Sequence, residues 1–444
     1  MNAETATGCR IFRSGRLLTA LAMLFALAAC TDTPHPTTTT ASAGPMSVAG
    51  GNAGTGGTHS VDAVSDALGQ RLIMNFDFSD DLKLLRDQAR RFLTEQSPPE
   101  VARHVLEGGE PYADTLWRSM AEMGWLGAAI PEQHGGAGLG YEGLCVLAEE
   151  LGRALAPVPF AASSYLATEA IILAGSDAQK RRLLPMLADG SAIGCFALAE
   201  GAGNPDPDNV RLRVIGGRLS GSKWPVMDGG VAGFAIVVAR DEANEIGLFL
   251  VELTAATASR RNLTTVDPSR NQASIEFAGA RAEKLGMAPT GWQLVQRLLE
   301  RAAVLIAFEQ VGGAEACLEM ARSYAIERYA FGRPIGSFQA IKHKLADVYV
   351  AIELARSNAY YGAWALSADV AELPLAAATA RVSATEAFHL ASKENIQTHG
   401  GIGFTWDVDC HLFYRRSKQL ALAVGALPYW KNRLVDLIET RNAA

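Results

Sequence analysis

Between Glu327 and Asp347 the chain reads ERYAFGRPIGSFQAIKHKLAD. Arg328 stands near the end of a long amphipathic pattern. Phe331-Gly332 and Pro334 interrupt that pattern, and Phe338-Gln339 open the next helix. The interruption gathers a cation, an aromatic face and an amide on one turn. A guanidinium forks onto diphosphate oxygens, and an amide with an aromatic face holds a flat polar ring. Taken by itself, the segment also fits a helical hairpin with a surface arginine.

A second segment, Gln397–Phe404 (QTHGGIGF), carries Gly400, Gly401 and Gly403. Glycines let a backbone come close to a ligand, and their N–H groups can face phosphate. Alone, a glycine cluster only marks a turn. Together the two segments resemble the acyl-CoA dehydrogenase family. Gly124–Leu151 is similar to that family's amino-terminal domain, as is the run through Leu183–Gly190 (LLPMLADG). Gly221–Arg240 (GSKWPVMDGGVAGFAIVVAR) is similar to its middle domain. The likeness runs from about Met74 to the carboxyl end.

The resemblance implies an α+β fold: a helical amino-terminal domain, a middle β-barrel domain and a carboxyl-terminal helical bundle that also builds an oligomer, a tetramer in form. It implies FAD as cofactor, an acyl-CoA thioester as substrate and an electron-transfer flavoprotein as electron acceptor. In the family a carboxylate takes the α-proton while the β-hydrogen leaves as hydride to the flavin. A backbone N–H and a ribityl hydroxyl hold the thioester oxygen. The flavin contacts implied here are Arg328, Phe331, Phe338, Gln339, Gln397, Gly400 and Gly401, with Leu198, Ala199, Val226 and Met227 from the middle domain.

The base is missing from its expected places. One family position, counted from Gly400-Gly401, falls on Val424, just before Gly425. The other, counted back from Phe331, falls on Ala302. Glu300 is close in number, but two residues turn a helix by about 200°, so it points away from Ala302. Glu300 serves only if the alignment slips by two. Glu309 lies on nearly the face of Ala302 but about 10 Å further along. For both glutamates the plain alternative is a solvated or ion-paired helix residue.

The ring half of the flavin site also departs from the family. Where the family has T-E-P-x-x-G-S-D, this chain has Ala199-Glu200-Gly201-Ala202-Gly203-Asn204-Pro205-Asp206. Pro225 and Met227 stand where an aromatic and a hydroxyl residue meet the flavin, while Val226 keeps its backbone groups. Some bacterial members pair two unlike subunits, one with the base and one contributing diphosphate contacts across the interface. The chain fits the second kind. It also fits an ordinary, self-sufficient dehydrogenase with Glu300 as base.

Bulk composition narrows the alternatives. The 444 residues suffice for two or three domains, and 49% hydrophobic with 20% charged residues describes a globular protein. A net charge of −7 and the lack of basic runs argue against nucleic acid. Cys145, Cys195, Cys317 and Cys410 show no CxxC spacing, so no metal site and no disulfide framework is expected.

The amino end differs. Arg10, Arg13 and Arg16 precede an apolar run, Leu17–Ala29, and Leu27-Ala28-Ala29-Cys30 resembles a bacterial lipoprotein box. Residues 31–66 have the Thr/Ala/Gly/Ser/Pro composition of a disordered segment. A disposable leader, residues 1–73, before a cytoplasmic enzyme starting near Met74 is the expectation. A lipoprotein anchored through Cys30, including a lipid-anchored helical binding protein without a redox role, is the alternative.

The elements that must position the site follow from periodicity. Leu82, Leu85, Ala89 and Phe92 recur at helical spacing, with Ser79 or Asp80 as cap. Residues 74–191 are expected to be the first helical domain. Strands are expected at Val210–Ile215, Arg218–Ser220, Phe234–Ala239, Gly247–Leu253 and Ala273–Phe277, in a middle domain over 192–283. In a carboxyl-terminal domain over 284–444, Leu298, Ala302, Leu305 and Phe308 share a helix face. Further helices cover Ile341–Leu366, Leu375–Gln397 and Leu412–Leu422.

Overall fold

A computed structural model describes residues 78–286 and 291–443. The expected leader over residues 1–73, Cys30 and the start at Met74 lie outside the described residues.

The first helices are α1 (Asp80–Gln96), α2 (Pro99–Leu106), α3 (Asp114–Glu122) and α4 (Gly140–Arg153). Ser79 caps α1, its Oγ accepting from the Leu82 N–H at 3.3 Å. The apolar stripe of α1 turns inward, with Ala89 and Leu93 buried. A π-helical stretch over Ala161–Thr168, wholly buried, leads into α5 (Glu169–Ala174) and α6 (Asp177–Ala188). Ser176 and Gln179 close a reciprocal capping box on α6.

The middle segment carries β1 (Gly194–Ala197), β2 (Val214–Ile215), β3 (Arg218–Met227), β4 (Phe234–Arg240), β5 (Ile246–Glu252), β6 (Ala258–Asn262), β7 (Gln272–Arg281) and β8 (Glu283–Lys284). β2 and β3 pair through the Gly216-Gly217 turn, both glycines at positive φ. The strands fall into two four-stranded sheets, β1-β4-β5-β8 and β2-β3-β7-β6. The expected barrel is therefore corrected to two open sheets. A barrel needs an unbroken hydrogen-bonded ladder around the ring. Among the described residues, only the isolated bridges Glu200–Trp224 and Arg213–Arg240 lie outside the named ladders.

The last segment comprises α7 (Gly291–Glu327), β9 (Tyr329–Ala330), β10 (Arg333–Pro334), α8 (Gln339–Ala368), α9 (Leu373–His399), α10 (Cys410–Leu422) and α11 (Leu427–Ala443). From Leu298 to Ala314 every residue of α7 is buried, so it is the central helix of the bundle. Its approach to α4 is backbone-close: a Cβ on Gly312 would lie 1.8 Å from the Glu149 carbonyl oxygen. Alanines at 376–378, 380, 384, 387 and 391 line the buried side of α9. The structure adds α11 beyond the last expected helix. Its polar positions mask the period, and it is held by buried Trp430 and Leu434. Cys145, Cys195, Cys317 and Cys410 are all free and buried. Among the described residues no helix is long and apolar enough to cross a membrane, and no cluster of metal-ligating side chains occurs.

Candidate active site

The break after α7 is a two-residue β-hairpin. β9 and β10 pair antiparallel, Ala330 with Arg333, across a turn in which Phe331 (φ 54°) and Gly332 (φ 76°) are both left-handed. That is the type I′ geometry, which suits glycine and strains phenylalanine. The Ile335 N–H donates to the Arg328 carbonyl at 2.8 Å and ties the hairpin to the helix end. Phe331 and Phe338 meet edge to face at 6.1 Å, and the Arg333 guanidinium lies 4.1 Å over the Phe338 ring. Phe331 is 94% exposed. Arg328 and Gln339 are exposed too, and Arg328 has no ion-pair partner among the described residues.

The glycine turn is brought beside this hairpin. Tyr324, one helical turn before Arg328, stacks on His399 at 4.2 Å, and His399 precedes Gly400. His399 is itself anchored, its Nδ1 lying 2.9 Å from the Asn395 carbonyl oxygen. Gly400 has φ 64°, and a Cβ on Gly400 or Gly401 would meet nothing within 4 Å. Gln397 is exposed on the last turn of α9. Arg328, Phe331, Phe338, Gln339, Gln397, Gly400 and Gly401 thus belong to neighbouring segments. Their free cation, amides and open glycine backbone fit an anionic diphosphate.

The middle-domain residues are arranged otherwise. Leu198 and Ala199 follow β1, and both carbonyls are taken. Lys223 Nζ donates to the Leu198 oxygen at 2.9 Å, and the Trp224 N–H donates to the Ala199 oxygen at 2.8 Å. Lys223 also pairs with Glu200 at 2.6 Å. Burial pushes its ammonium down to about 8 against the pull of Glu200. The Val226 side chain points into the core, and Met227 Sδ lies 4.0 Å from Arg270. Positions 199, 225 and 227 carry neither a hydroxyl nor an aromatic ring, and the nearest exposed aromatic is Trp224, beside Pro225. The ring half fits an isoalloxazine poorly.

The base positions hold no acid. Ala302 is fully buried on α7. Val424 is half-buried in the turn between α10 and α11, at φ 52°. Glu300 is buried and pairs with Arg433 of α11. Burial raises its carboxyl, and Arg433 opposes that shift. Its oxygen is engaged by a guanidinium rather than free to take a proton. Glu309 is buried as well, 2.8 Å from Arg270 and 3.7 Å from Arg416.

Two groups escaped sequence reasoning. One is the buried network of Arg270, Glu309, Arg416, Asp267 and Asp228 between the loop before β7, α7 and α10. Its spacing gives no local sign, because the partners are remote in sequence. The other is Arg381, a fully buried arginine on α9. A lone arginine among small residues, ATARVSAT, was the available signal.

Comparison with known proteins agrees with this geometry. The profile "Acyl-CoA dehydrogenase, N-terminal domain" matches residues 79–191, and "Acyl-CoA dehydrogenase, C-terminal domain" matches 289–429. The acyl-CoA dehydrogenase IpdE2 of Mycobacterium tuberculosis is 33% identical over 341 residues, 76% of this chain and 91% of that protein. A solved variant of the Tcur3481-Tcur3483 steroid ACAD superposes with a TM-score of 0.75 at 34% identity, covering 82% of this chain and 99% of that one. The ChsE4-ChsE5 complex from Mycobacterium tuberculosis gives a TM-score of 0.74 at 27% identity, with 82% and 99% covered. The chain belongs to the acyl-CoA dehydrogenase family, whose members are FAD-binding oxidoreductases acting on CH–CH bonds.

Proposed function

We propose that this chain is the base-lacking subunit of a heteromeric acyl-CoA dehydrogenase. It takes part in α,β-dehydrogenation of an acyl-CoA thioester, with electrons passed on to an electron-transfer flavoprotein. The observation that carries this reading is the absence of a carboxylate at Ala302 and Val424, together with the engagement of Glu300 by Arg433. Bound FAD supplies the hydride acceptor. This chain supplies Arg328, Gln339 and the Gly400-Gly401 turn to the diphosphate, and an unlike subunit of the same fold supplies the base. Likeness to a two-component steroid ACAD supports both the unlike partner and a steroid-derived acyl group as the first thioester to try.

The test is purification alone and after co-expression with a glutamate-bearing homologue from the same gene neighbourhood. A positioned base contributes about 10²–10⁴ in rate. The chain alone should hold little FAD and turn over acyl-CoA slowly with an artificial acceptor, and the complex should gain at least that factor. Rapid turnover by the single chain, abolished in Glu300→Gln, would establish the self-sufficient enzyme instead.

A further inference from the structure

The carboxyl ends of α1 and α4 meet α10 around a cavity of about 200 Å³. Two prolines shape its rim. Ser97 precedes Pro98 and Pro99, which disfavours a helical backbone at Ser97 and ends α1 there. Ser97 stands at φ −131°, its N–H donating to the Leu93 carbonyl at 2.9 Å. The corner thus holds Ser97 in the cavity lining. Most of that lining is apolar, and Leu93, Leu155 and Phe413 within it are buried.

Arg90, Glu150 and Arg153 bring charge to the same lining. Arg90 and Glu150 answer each other, the guanidinium donating to both carboxylate oxygens at 2.9 and 2.7 Å. Two groups are left over. Ser97 is 3% exposed, yet its Oγ has no hydrogen-bond partner among the described residues. Arg153 donates from Nη2 to Glu319, while its Nη1 is buried without a hydrogen bond among the described residues, 3.6 Å from Glu315. A buried hydroxyl and a buried guanidinium N–H without acceptors are costly. A water needs about two to four polar neighbours, and the apolar part of this cavity offers none.

A ligand that satisfies this cavity carries acceptor oxygens at one end and hydrocarbon at the other. A guanidinium favours a carboxylate over a neutral oxygen, and the buried apolar side chains favour a short alkyl tail. At about 30 Å³ for each water-sized group, the space holds about six or seven such groups, the size of butyrate or pentanoate. We propose that this cavity is a binding site for a short-chain monocarboxylate, held by Arg153 and Ser97, with its tail against Leu93, Leu155 and Phe413. The charge of Glu150 does not oppose it, being answered by Arg90. None of the lining residues belongs to the flavin or base positions described above, so the site is independent of the proposed function.

The test titrates butyrate into the full-length chain and follows it by saturation-transfer NMR, with butyramide as its uncharged counterpart. Butyrate should saturate, and butyramide should bind about tenfold or more weakly, because it forms no charge-assisted pair. Ser97→Ala should weaken butyrate about two- to tenfold, and Arg153→Gln about tenfold or more. Ala154→Leu, which adds bulk at a lining position, should abolish binding. Melting temperature checks that each variant folds, and Ser97→Ala with Ala154→Leu decides the question even if Arg153→Gln does not fold. Excess octanoyl-CoA, which would occupy an acyl-CoA site, should leave the butyrate signal unchanged. Binding that does not saturate, or equal binding of butyramide, overturns the site. So does displacement by octanoyl-CoA, or butyrate affinity unchanged in both Ser97→Ala and Ala154→Leu.

Discussion

The hairpin face with Arg328, Phe331 and Gln339 lies open, whereas the junction of β3, α7 and α10 is packed with charges that already have partners. On the open face the Arg328 cation pairs with no carboxylate among the described residues, and Phe331 is 94% exposed. At the junction Glu309 contacts both Arg270 and Arg416, and Arg416 reaches Asp267 at 2.6 Å. The first arrangement holds binding capacity in reserve for a ligand or a second chain. The second spends it on joining the middle sheets to the bundle. An exposed guanidinium keeps its hydration until an anion replaces it. A buried one must be satisfied within the fold or it destabilises it.

The comparison breaks most visibly at Glu309. Removing one partner of a buried ion pair costs about 3–5 kcal/mol. Glu309→Leu should lower the stability of the chain by that amount in urea unfolding, since Arg270 would keep only Asp228, 4.0 Å away. A midpoint unchanged from the parent would show that the network does not hold the domains.

Arg328→Ala should do the reverse. Losing a charged hydrogen bond to a ligand costs about 1.5–3 kcal/mol. FAD affinity of the assembled protein should fall roughly tenfold or more, as read by flavin fluorescence, with the urea midpoint within about 0.5 kcal/mol of the parent. Undiminished FAD content would remove Arg328 from the site.

The junction should also respond to pH. Burial raises the Asp228 carboxyl to about 6, with Glu309 adding and Arg270 opposing. Its folded value lies above the unfolded value of about 3.9. Its contribution to stability is therefore complete below that value and is lost as pH rises through 6. Asp228→Asn removes this dependence. The melting temperature of the variant minus that of the parent should be larger at pH 7 than at pH 4.5. A difference independent of pH would mean that Asp228 is ionised in both states.

The smallest effect is expected at Gln339. A neutral hydrogen bond nets about 0.5–1.5 kcal/mol, so Gln339→Ala should weaken FAD binding only about two- to tenfold. A loss exceeding that of Arg328→Ala would invert the assignment of charge and amide on the open face.

Much of this was legible in the sequence. The period of Leu82, Leu85 and Ala89 gave α1 its buried stripe, and Gly216-Gly217 marked the β2–β3 turn. Phe331-Gly332 marked the end of α7, though not that the break would be a paired hairpin. Glycine at 400 and 401 indicated an open turn, and the absence of acid at Ala302 and Val424 was plain from counting. Local signals of this type act over a few residues, where propensity and turn chemistry decide the backbone.

What the sequence determined alone was the run of elements, the exposed turn that carries Arg328 and Gln339, and the lack of an acid at Ala302 and Val424. The tertiary structure decided whether the strands close, which they do not, and where each buried charge finds its partner. Glu300 meets Arg433, and Glu309 meets Arg270. Arg381 meets two carbonyls at the end of another helix. Such partners are separated by tens to more than a hundred residues of chain. A buried charge is satisfied by whatever packing brings within hydrogen-bond reach, and no local pattern encodes that distance.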